Sequence, residues 1–417
     1  MPSHFEKKFS QPSAISSLME DLNQGVQNDQ MLMLGGGNPA QIPAVKALFQ
    51  RQIEAAAEDQ TLLEGLSNYA GPLGKDSFRQ HLAELLSSVF DSEIQPQHIA
   101  LTNGSQSAFF ALANLFAGQR EDGSLKKILL PMSPEYIGYS DLGVKDDIFT
   151  SIKPQINLLD NREFKYQIDF EQLDITEDIG LVVTSCPTNP SGNVLTETEL
   201  SELDRRCQAA NTPLLLDCAY GAPFPNIVFS ELKLPFNDNV ILCLSLSKLG
   251  LPGARCGIIV AAPNIIKTLA NLSGVMSLAP GNIGPVIAES MVSSGEIVKV
   301  SNELIQPYYH DKACYLAAKL KQAIDDPRFR IHKPEGAIFL WLWFKDLPIS
   351  SQALYLRLKE KRLVVVAGQH FFPGLQSDWR HQQECVRLSY AQSEEVLDEA
   401  VTILAAEIKA IYAEHDK

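Results

Sequence analysis

Lys248 closes the tetrapeptide Ser245-Leu246-Ser247-Lys248, which follows an apolar run at 241–244. A strand ending there carries its lysine to the carboxyl edge of a sheet, where open α/β folds bind ligands. In a partly dry site a lysine loses its proton readily and can add to a carbonyl to form an imine. Asp217 ends a second apolar run, 213–216, and reaches the same edge. An aspartate so placed can keep a heterocyclic nitrogen protonated through a charge-assisted hydrogen bond and turn the ring into an electron sink. The segment Cys186-Pro187-Thr188-Asn189-Pro190-Ser191-Gly192 is turn chemistry after a third run. Its prolines flank Asn189 and suit a fixed hydrogen bond to a ligand hydroxyl. Gly104, Ser105 and Gln106 open a helix, whose free N–H groups favour an anion, and the fork of Arg255 can reinforce them. Each feature alone has a bland counterpart: a surface lysine, a turn aspartate, a tight loop, an ordinary helix end. Together they describe imine chemistry on an anionic, ring-bearing cofactor.

The elements that must position these residues follow from hydrophobic patterning. Apolar runs at 128–130, 181–184, 214–216, 240–244 and 258–260 read as fully buried strands. Between two of them Thr196-Glu197-Thr198-Glu199 forms a capping box that starts a helix running towards Ala210. Phe78, Leu82, Leu85, Leu86 and Val89 share one face of a helix over 76–90, and a second helix begins at Asn103-Gly104-Ser105. Buried strands alternating with helices predict an α/β fold with a mainly parallel sheet covered on both faces. Beyond about Gln306 the pattern changes: a helix at 312–324, short strands near Phe329, Phe339, Val365 and Val386, then a long helix over 394–412. These form a smaller α+β unit. Within it Trp341 and Trp343 alternate in an apolar run that reads as a buried strand, with Gly336-Ala337 beside the substrate site. His370 is either a satisfied loop residue or a lining residue. The first thirty residues are polar and are expected to wrap the surface.

With 417 residues, a net charge of −15 and a pI near 5, the chain lacks the clustered Lys and Arg that nucleic acid or an anionic membrane recruits. Seven scattered cysteines with no C-x-x-C pair fit a reducing compartment. The opening MPSHFEKKFS has no apolar signal region, and no run is long enough to span a bilayer. A cytoplasmic location is expected, so the sequons at Asn103 and Asn271 read as chance. A dinucleotide-binding oxidoreductase would need G-x-G-x-x-G between a strand and a helix, and Gly35-Gly36-Gly37 lacks that form. No G-x-S-x-G elbow supports a serine hydrolase.

The motifs N-G-S-Q, P-E-Y-x-x-Y, P-T-N-P-S-G, D-C-A-Y, S-L-S-K and G-x-R, in this order, resemble the fold-type I pyridoxal-phosphate aminotransferases along essentially the whole chain. The resemblance implies a large domain with a seven-stranded-type, mainly parallel sheet between helices (61–304) and a smaller α+β domain built from both termini (1–60 and 305–417). It implies pyridoxal 5′-phosphate as cofactor, no metal, and a homodimer with shared active sites. Lys248 is similar to the family's Schiff-base lysine and proton shuttle, and Asp217 to the partner of the pyridine nitrogen. Asn189 and Tyr220 match the groups that hold the 3′-oxygen, and Tyr136 the aromatic ring stacked on the cofactor. Gly104, Ser105, Gln106, Ser245 or Ser247, and Arg255 resemble the phosphate cup, and Tyr69 a tyrosine that reaches the neighbouring subunit's phosphate. Arg387 corresponds to the clamp on the substrate α-carboxylate, with Asn38 and Gly37 on the substrate side. The interval from Lys248 to Arg255 is one residue shorter than the commonest family form. A cofactor-binding transcription regulator would carry a basic domain ahead of this body, and the glycine-rich loop already begins by Leu34. A β-lyase or decarboxylase would use the same Lys248, Asp217 and Arg387.

The resemblance also bears on substrate choice, because dicarboxylate-specific relatives place a second arginine after the lysine-bearing segment. The comparable stretch here, 274–282, has no basic residue. A substrate side-chain carboxylate there would be buried unpaired, a severe penalty. Alanine, valine or 2-aminobutyrate, with pyruvate or 2-oxoisovalerate, are the expected substrates. In a comparison of specificity constants, the apolar donors should exceed aspartate and glutamate by at least about 100-fold; a preference for either acid contradicts the reading.

Overall fold

The computed structural model describes residues 3–10, 16, 20 and 31–416. Most of the polar segment expected to wrap the surface lies outside the described residues; within it, His4–Phe9 is a short helix capped by the Ser3 side chain.

The main sheet follows a path of seven strands: Ile99–Asn103, Cys256–Val260, Val240–Ser245, Leu214–Asp217, Ile179–Ser185, Leu125–Leu130 and Gly118–Gln119. An eighth strand, Phe149–Ser151, pairs with Leu125–Leu130. The pairings among 125–130, 149–151, 179–185, 214–217 and 240–245 are parallel, as patterning predicts. Cys256–Val260 departs from this and runs antiparallel to both neighbours, one of which, Ile99–Asn103, was not expected as a strand. Apolar runs reveal burial but carry no direction.

Successive side chains of each strand enter opposite faces, which is why the runs are apolar throughout. Leu214, Leu216, Leu242 and Leu244 belong to one core, whereas Leu215, Ile241 and Cys243 belong to the other. Burying each Leu or Ile contributes about 1.5–3 kcal/mol, so both faces must be covered. The helix Asp76–Phe90 covers part of one face with Phe78, Leu82 and Leu86. Ser105–Phe116 covers part of the other with Phe109 and Leu112. The helix Glu197–Ala209 begins with the expected capping box, Thr196 with Glu199.

A second sheet, of six strands, runs in the order Val366–Ala367, Cys385–Ser389, Phe339–Phe344, Phe329–His332, Glu163–Gln167 and Gln155–Leu159. Its last two strands form a hairpin drawn from inside the range assigned to the large domain, and Glu163–Gln167 pairs parallel with Phe329–His332. Sheet pairing therefore crosses the division at 304/305. The helical run through that boundary is also continuous, Glu296–Val300 joining Gln306–Ala323 through a π turn at Ser301–Ile305. From the other end of the chain, Leu32–Met33 pairs with Leu363–Val364. Leu34 then accepts a hydrogen bond from Ser389 N–H (2.7 Å), which fixes the glycine-rich loop beside the strand carrying Arg387. The C-terminal helix runs Glu394–His415.

Lys165, on the hairpin, ties the two sheets together. Its buried amine meets Glu335, Asn193 Oδ1 (3.0 Å) and the Val194 carbonyl (2.9 Å). Burial pushes the Glu335 carboxyl up, yet Lys165 and Lys333 outweigh this and hold it below its ordinary range. Removing one member of a buried pair leaves an uncompensated charge. Lys165→Met is therefore expected to lower stability by about 3 kcal/mol in urea unfolding, and a loss under about 1 kcal/mol would mean that Lys333 alone satisfies Glu335.

Candidate active site

Three adjacent parallel strands end together, and each delivers one group. Ile179–Ser185 leads into the turn with Asn189, Leu214–Asp217 ends on Asp217, and Val240–Ser245 is followed within three residues by Lys248. The register places Ser185 and Cys243 on either side of Asp217, so these groups converge at one sheet edge.

Asp217 is buried and each carboxylate oxygen has a donor: Ala219 N–H to Oδ1 (3.0 Å) and the Tyr139 hydroxyl to Oδ2 (2.9 Å). Burial pushes this carboxyl up to about 6, with both donors and the Lys248 charge opposing the rise. Lys248 donates to the Gly37 carbonyl (2.6 Å) and lies 5.4 Å from the centroid of the Tyr220 ring. Burial, followed by the charge of Arg387, brings its amine down to about 8.

Arg387 comes from the second sheet, on the strand Cys385–Ser389, opposite Trp341 in register. Its guanidinium lies 4.0 Å from the Phe339 ring centroid and 5.0 Å from that of Phe371. Nη1 donates to Asn189 Oδ1 (2.8 Å) and Nη2 to the Gly35 carbonyl (2.7 Å). Nε is buried with no partner among the described residues. Tyr220 is buried and edge-on to Phe339. Desolvation raises both its phenol and that of Tyr136, the latter to about 12, so both remain neutral donors.

The anion-binding feature forms as expected. Gly104 precedes the helix Ser105–Phe116 at φ +85° and caps it with no side chain. A Cβ on Gly104 would stand 2.1 Å from Arg255 Nη2, so the guanidinium lies directly on this turn despite the shortened interval. Gly257 is needed for the same closeness, since a Cβ there would stand 2.7 Å from Ser105 N. Gln106 differs from expectation: its side-chain amide donates to the Gly138 carbonyl (3.0 Å), leaving its position in the first helical turn as its link to an anion. The buried Ser245 hydroxyl accepts from Ser247 N–H (3.1 Å), whereas Ser247 is half-buried.

Tyr69 is 86% exposed, and Asn38 is exposed directly after Gly37, whose carbonyl meets Lys248. Gly336 packs against Pro187 in the Asn189 turn, and His370 bonds Gln352 (3.1 Å). Patterning missed Tyr139, although it ends the P-E-Y-x-x-Y motif, and Glu135 within it. Glu135 is fully buried, accepts from Thr184 Oγ1 and Ser185 N (2.9 Å each), and is pushed up to about 8 by burial. The roles of Gly35 and Gly37 depend on their carbonyls, which residue identity does not announce.

Half-buried Lys248, buried Asp217, the uncapped start of the helix Ser105–Phe116 and buried Arg387 thus lie in one region, a set that transaminating, lyase and decarboxylating enzymes could all use. The family model for aminotransferase class I and II matches residues 29–404, and the chain belongs to that family. It is 48% identical over 410 residues to the valine–pyruvate aminotransferase of Escherichia coli strain K12, with 98% of each chain covered. The crystal structure of valine–pyruvate aminotransferase from Salmonella typhimurium LT2 superposes with a TM-score of 0.89 at 48% identity, covering 96% of this chain and 100% of that one. Aspartate aminotransferase from Thermus thermophilus with maleate has a TM-score of 0.78 at 21% identity, over 98% and 99% of the two chains, which establishes the fold-type I architecture alone.

The amine adds to a carbonyl only when neutral. Its value near 8 implies that capture of an aldehyde such as pyridoxal phosphate by the cofactor-free protein accelerates as pH rises through about 8 and levels off above it. Stopped-flow absorbance checks this, and a rate flat between about pH 6 and 9 would exclude Lys248 as the capturing group.

Proposed function

We propose that this chain binds pyridoxal 5′-phosphate and transfers the amino group between L-valine and pyruvate, giving 2-oxoisovalerate and L-alanine. The observation that carries the chemistry is the meeting of Lys248 and Asp217, at one edge of the main sheet, with Arg387, which the second sheet brings to Asn189. The 48% identity to valine–pyruvate aminotransferase supports the choice of substrates, as does the lack of a basic residue in 274–282.

The available groups suit this cofactor. The uncapped N–H groups after Gly104, with Arg255 upon them and Ser247 nearby in sequence to Lys248, provide for a phosphate. Asp217 provides for the pyridine nitrogen, Asn189 and Tyr220 for the 3′-oxygen, and Tyr136 for the ring face. When bound, pyridoxal phosphate supplies an electron sink that makes the substrate α-proton removable.

The residues account for the remaining requirements. Arg387 grips the α-carboxylate through two parallel bonds, for which the unpartnered Nε and a second N–H on Nη2 are available. Desolvation lowers Arg387 to about 10, still far enough above neutrality to retain the charge that recognises a carboxylate. Lys248 Nζ, which burial brings down to about 8, is the atom that takes the α-proton and holds it for return. Tyr220 beneath that amine and the Phe339 and Phe371 rings around Arg387 limit water at both groups. Two half-reactions through one site give ping-pong kinetics.

A homodimer completes the reading. Tyr69 is exposed together with Leu63, Leu66, Val275, Met276 and Leu278, and Asn282 bonds the carbonyls of Gly65 and Asn68 to bring these stretches side by side. Such an apolar patch suits a second copy. The seven free cysteines are consistent with a cytoplasmic location, and no described helix is long and apolar enough to cross a membrane.

The test is a visible spectrum of the purified protein, titrated with L-alanine and then 2-oxoisovalerate. The cofactor band should convert with alanine and return with the 2-oxo acid as valine appears. Lys248→Ala should lose at least about 10³-fold in turnover. Conversion without return retains the aminotransferase but removes the valine assignment; release of a cleaved side chain or of carbon dioxide in place of 2-oxo acid indicates β-lyase or decarboxylase chemistry.

A further inference from the structure

The turn Ile137–Tyr139 makes contacts that the reading above does not use. Tyr139 is one of the largest fully buried side chains, and its hydroxyl reaches Asp217 Oδ2 from 78 residues away in sequence. Its ring is held on three sides. Phe109 from the helix Ser105–Phe116 meets it edge-on (5.5 Å between centroids, 89°), Tyr136 does the same (5.3 Å, 88°), and Phe149 lies parallel to it (6.3 Å, 6°). The turn is also bolted to the phosphate side of the site, because Gln106 donates to the Gly138 carbonyl. One short segment thus connects the anion-binding helix start, the ring expected to stack on the cofactor, and the carboxylate expected to hold its nitrogen.

We infer that Tyr139 is a positioning residue for Asp217, fixing the plane of its carboxylate and keeping it ionised towards the ring nitrogen of the cofactor, an inference that rests on the pyridoxal-phosphate reading. Two donors on different oxygens remove the freedom of the carboxylate to rotate. Ala219 N–H belongs to the strand's own turn, so Tyr139 supplies the contact that tertiary packing controls. The opposing influences are strong. Asp217 is desolvated, which pushes it towards neutrality, while the Ala219 and Tyr139 donors and the Lys248 charge favour the charged form. A neutral Asp217 would lose the charge assistance of its bond to a protonated ring nitrogen, and the electron sink would weaken. Tyr139 itself cannot compete for the proton, because burial and Asp217 hold its phenol well above its ordinary value.

The test uses the full-length holoenzyme with Tyr139→Phe, which keeps the ring and deletes the hydroxyl. Loss of a hydrogen bond to a charged acceptor should weaken pyridoxal-phosphate affinity about tenfold and reduce kcat about tenfold, with KM for L-alanine within about twofold of the parent. The pH midpoint of the bound cofactor's visible band should rise by about 0.5 unit or more. Phe109→Leu disturbs the same ring packing but keeps the hydroxyl, and should lower thermal stability without moving that midpoint. 3-Fluorotyrosine at position 139, a more acidic donor with the same shape, should move the midpoint the other way; this measurement stands even if Tyr139→Phe fails to fold. A Tyr139→Phe enzyme with parental affinity and midpoint overturns the inference, as do equal midpoint shifts in Tyr139→Phe and Phe109→Leu, or no shift with fluorotyrosine. If the parent protein itself fails to take up pyridoxal phosphate, the functional reading falls first and this inference with it.

Discussion

Asp217 places a carboxyl group where water is nearly excluded. The sheet presents it between Ser185 and Cys243, under a fully packed core, and burial acts to neutralise it. The surrounding arrangement counters that tendency: the Ala219 amide, the Tyr139 hydroxyl and the nearby Lys248 all favour the carboxylate. The same dryness works in the opposite sense on Lys248, depressing its amine towards neutrality. One property of the cleft, low access to water, thus acts on both groups and favours the neutral form of each.

The two cations of the site depend on the N-terminal glycine loop. Gly37 accepts from Lys248 and Gly35 accepts from Arg387, so alternate carbonyls of one short strip satisfy both. That strip is held in place because Leu34 bonds both Val364 and Ser389, at the strands beside Arg387. The first part of the chain and the last part are therefore hydrogen-bonded side by side at this site. Asn189 links them to the main sheet through its bond to Arg387. A carbonyl is a modest substitute for a carboxylate on a guanidinium, since charge-assisted bonds are about twice as strong as neutral ones.

Away from the chemistry, buried polar groups define how the two sheets meet. Lys165 reaches from the 155–167 hairpin to Glu335 and to the turn that follows Asn189. On the other side of this sheet, Tyr166 bonds both Trp341 Nε1 (2.8 Å) and His381, and the low access to water brings the His381 imidazole down to about 3. These contacts are directional, unlike the apolar packing around them.

Much of the active site was legible in the chain because strand ends and turns have local signatures. Lys248, Asp217 and Asn189 each follow an apolar run, and Gly104 precedes an apolar helical face; the structure brings all four to one sheet edge. The sequence by itself determined which segments are buried, where the helices start, and which groups are available for chemistry, since burial and capping depend on residues a few positions apart. Tertiary structure decided the rest. Apolar runs do not encode direction, so the antiparallel placement of Cys256–Val260 and the crossing of the 155–167 hairpin to the other sheet emerged only on folding. Nor could spacing assign Tyr139 to Asp217, turn the Gln106 side chain towards Gly138, or show that Gly35 and Gly37 contribute carbonyls, because those contacts join residues far apart in the chain through geometry that no local pattern records.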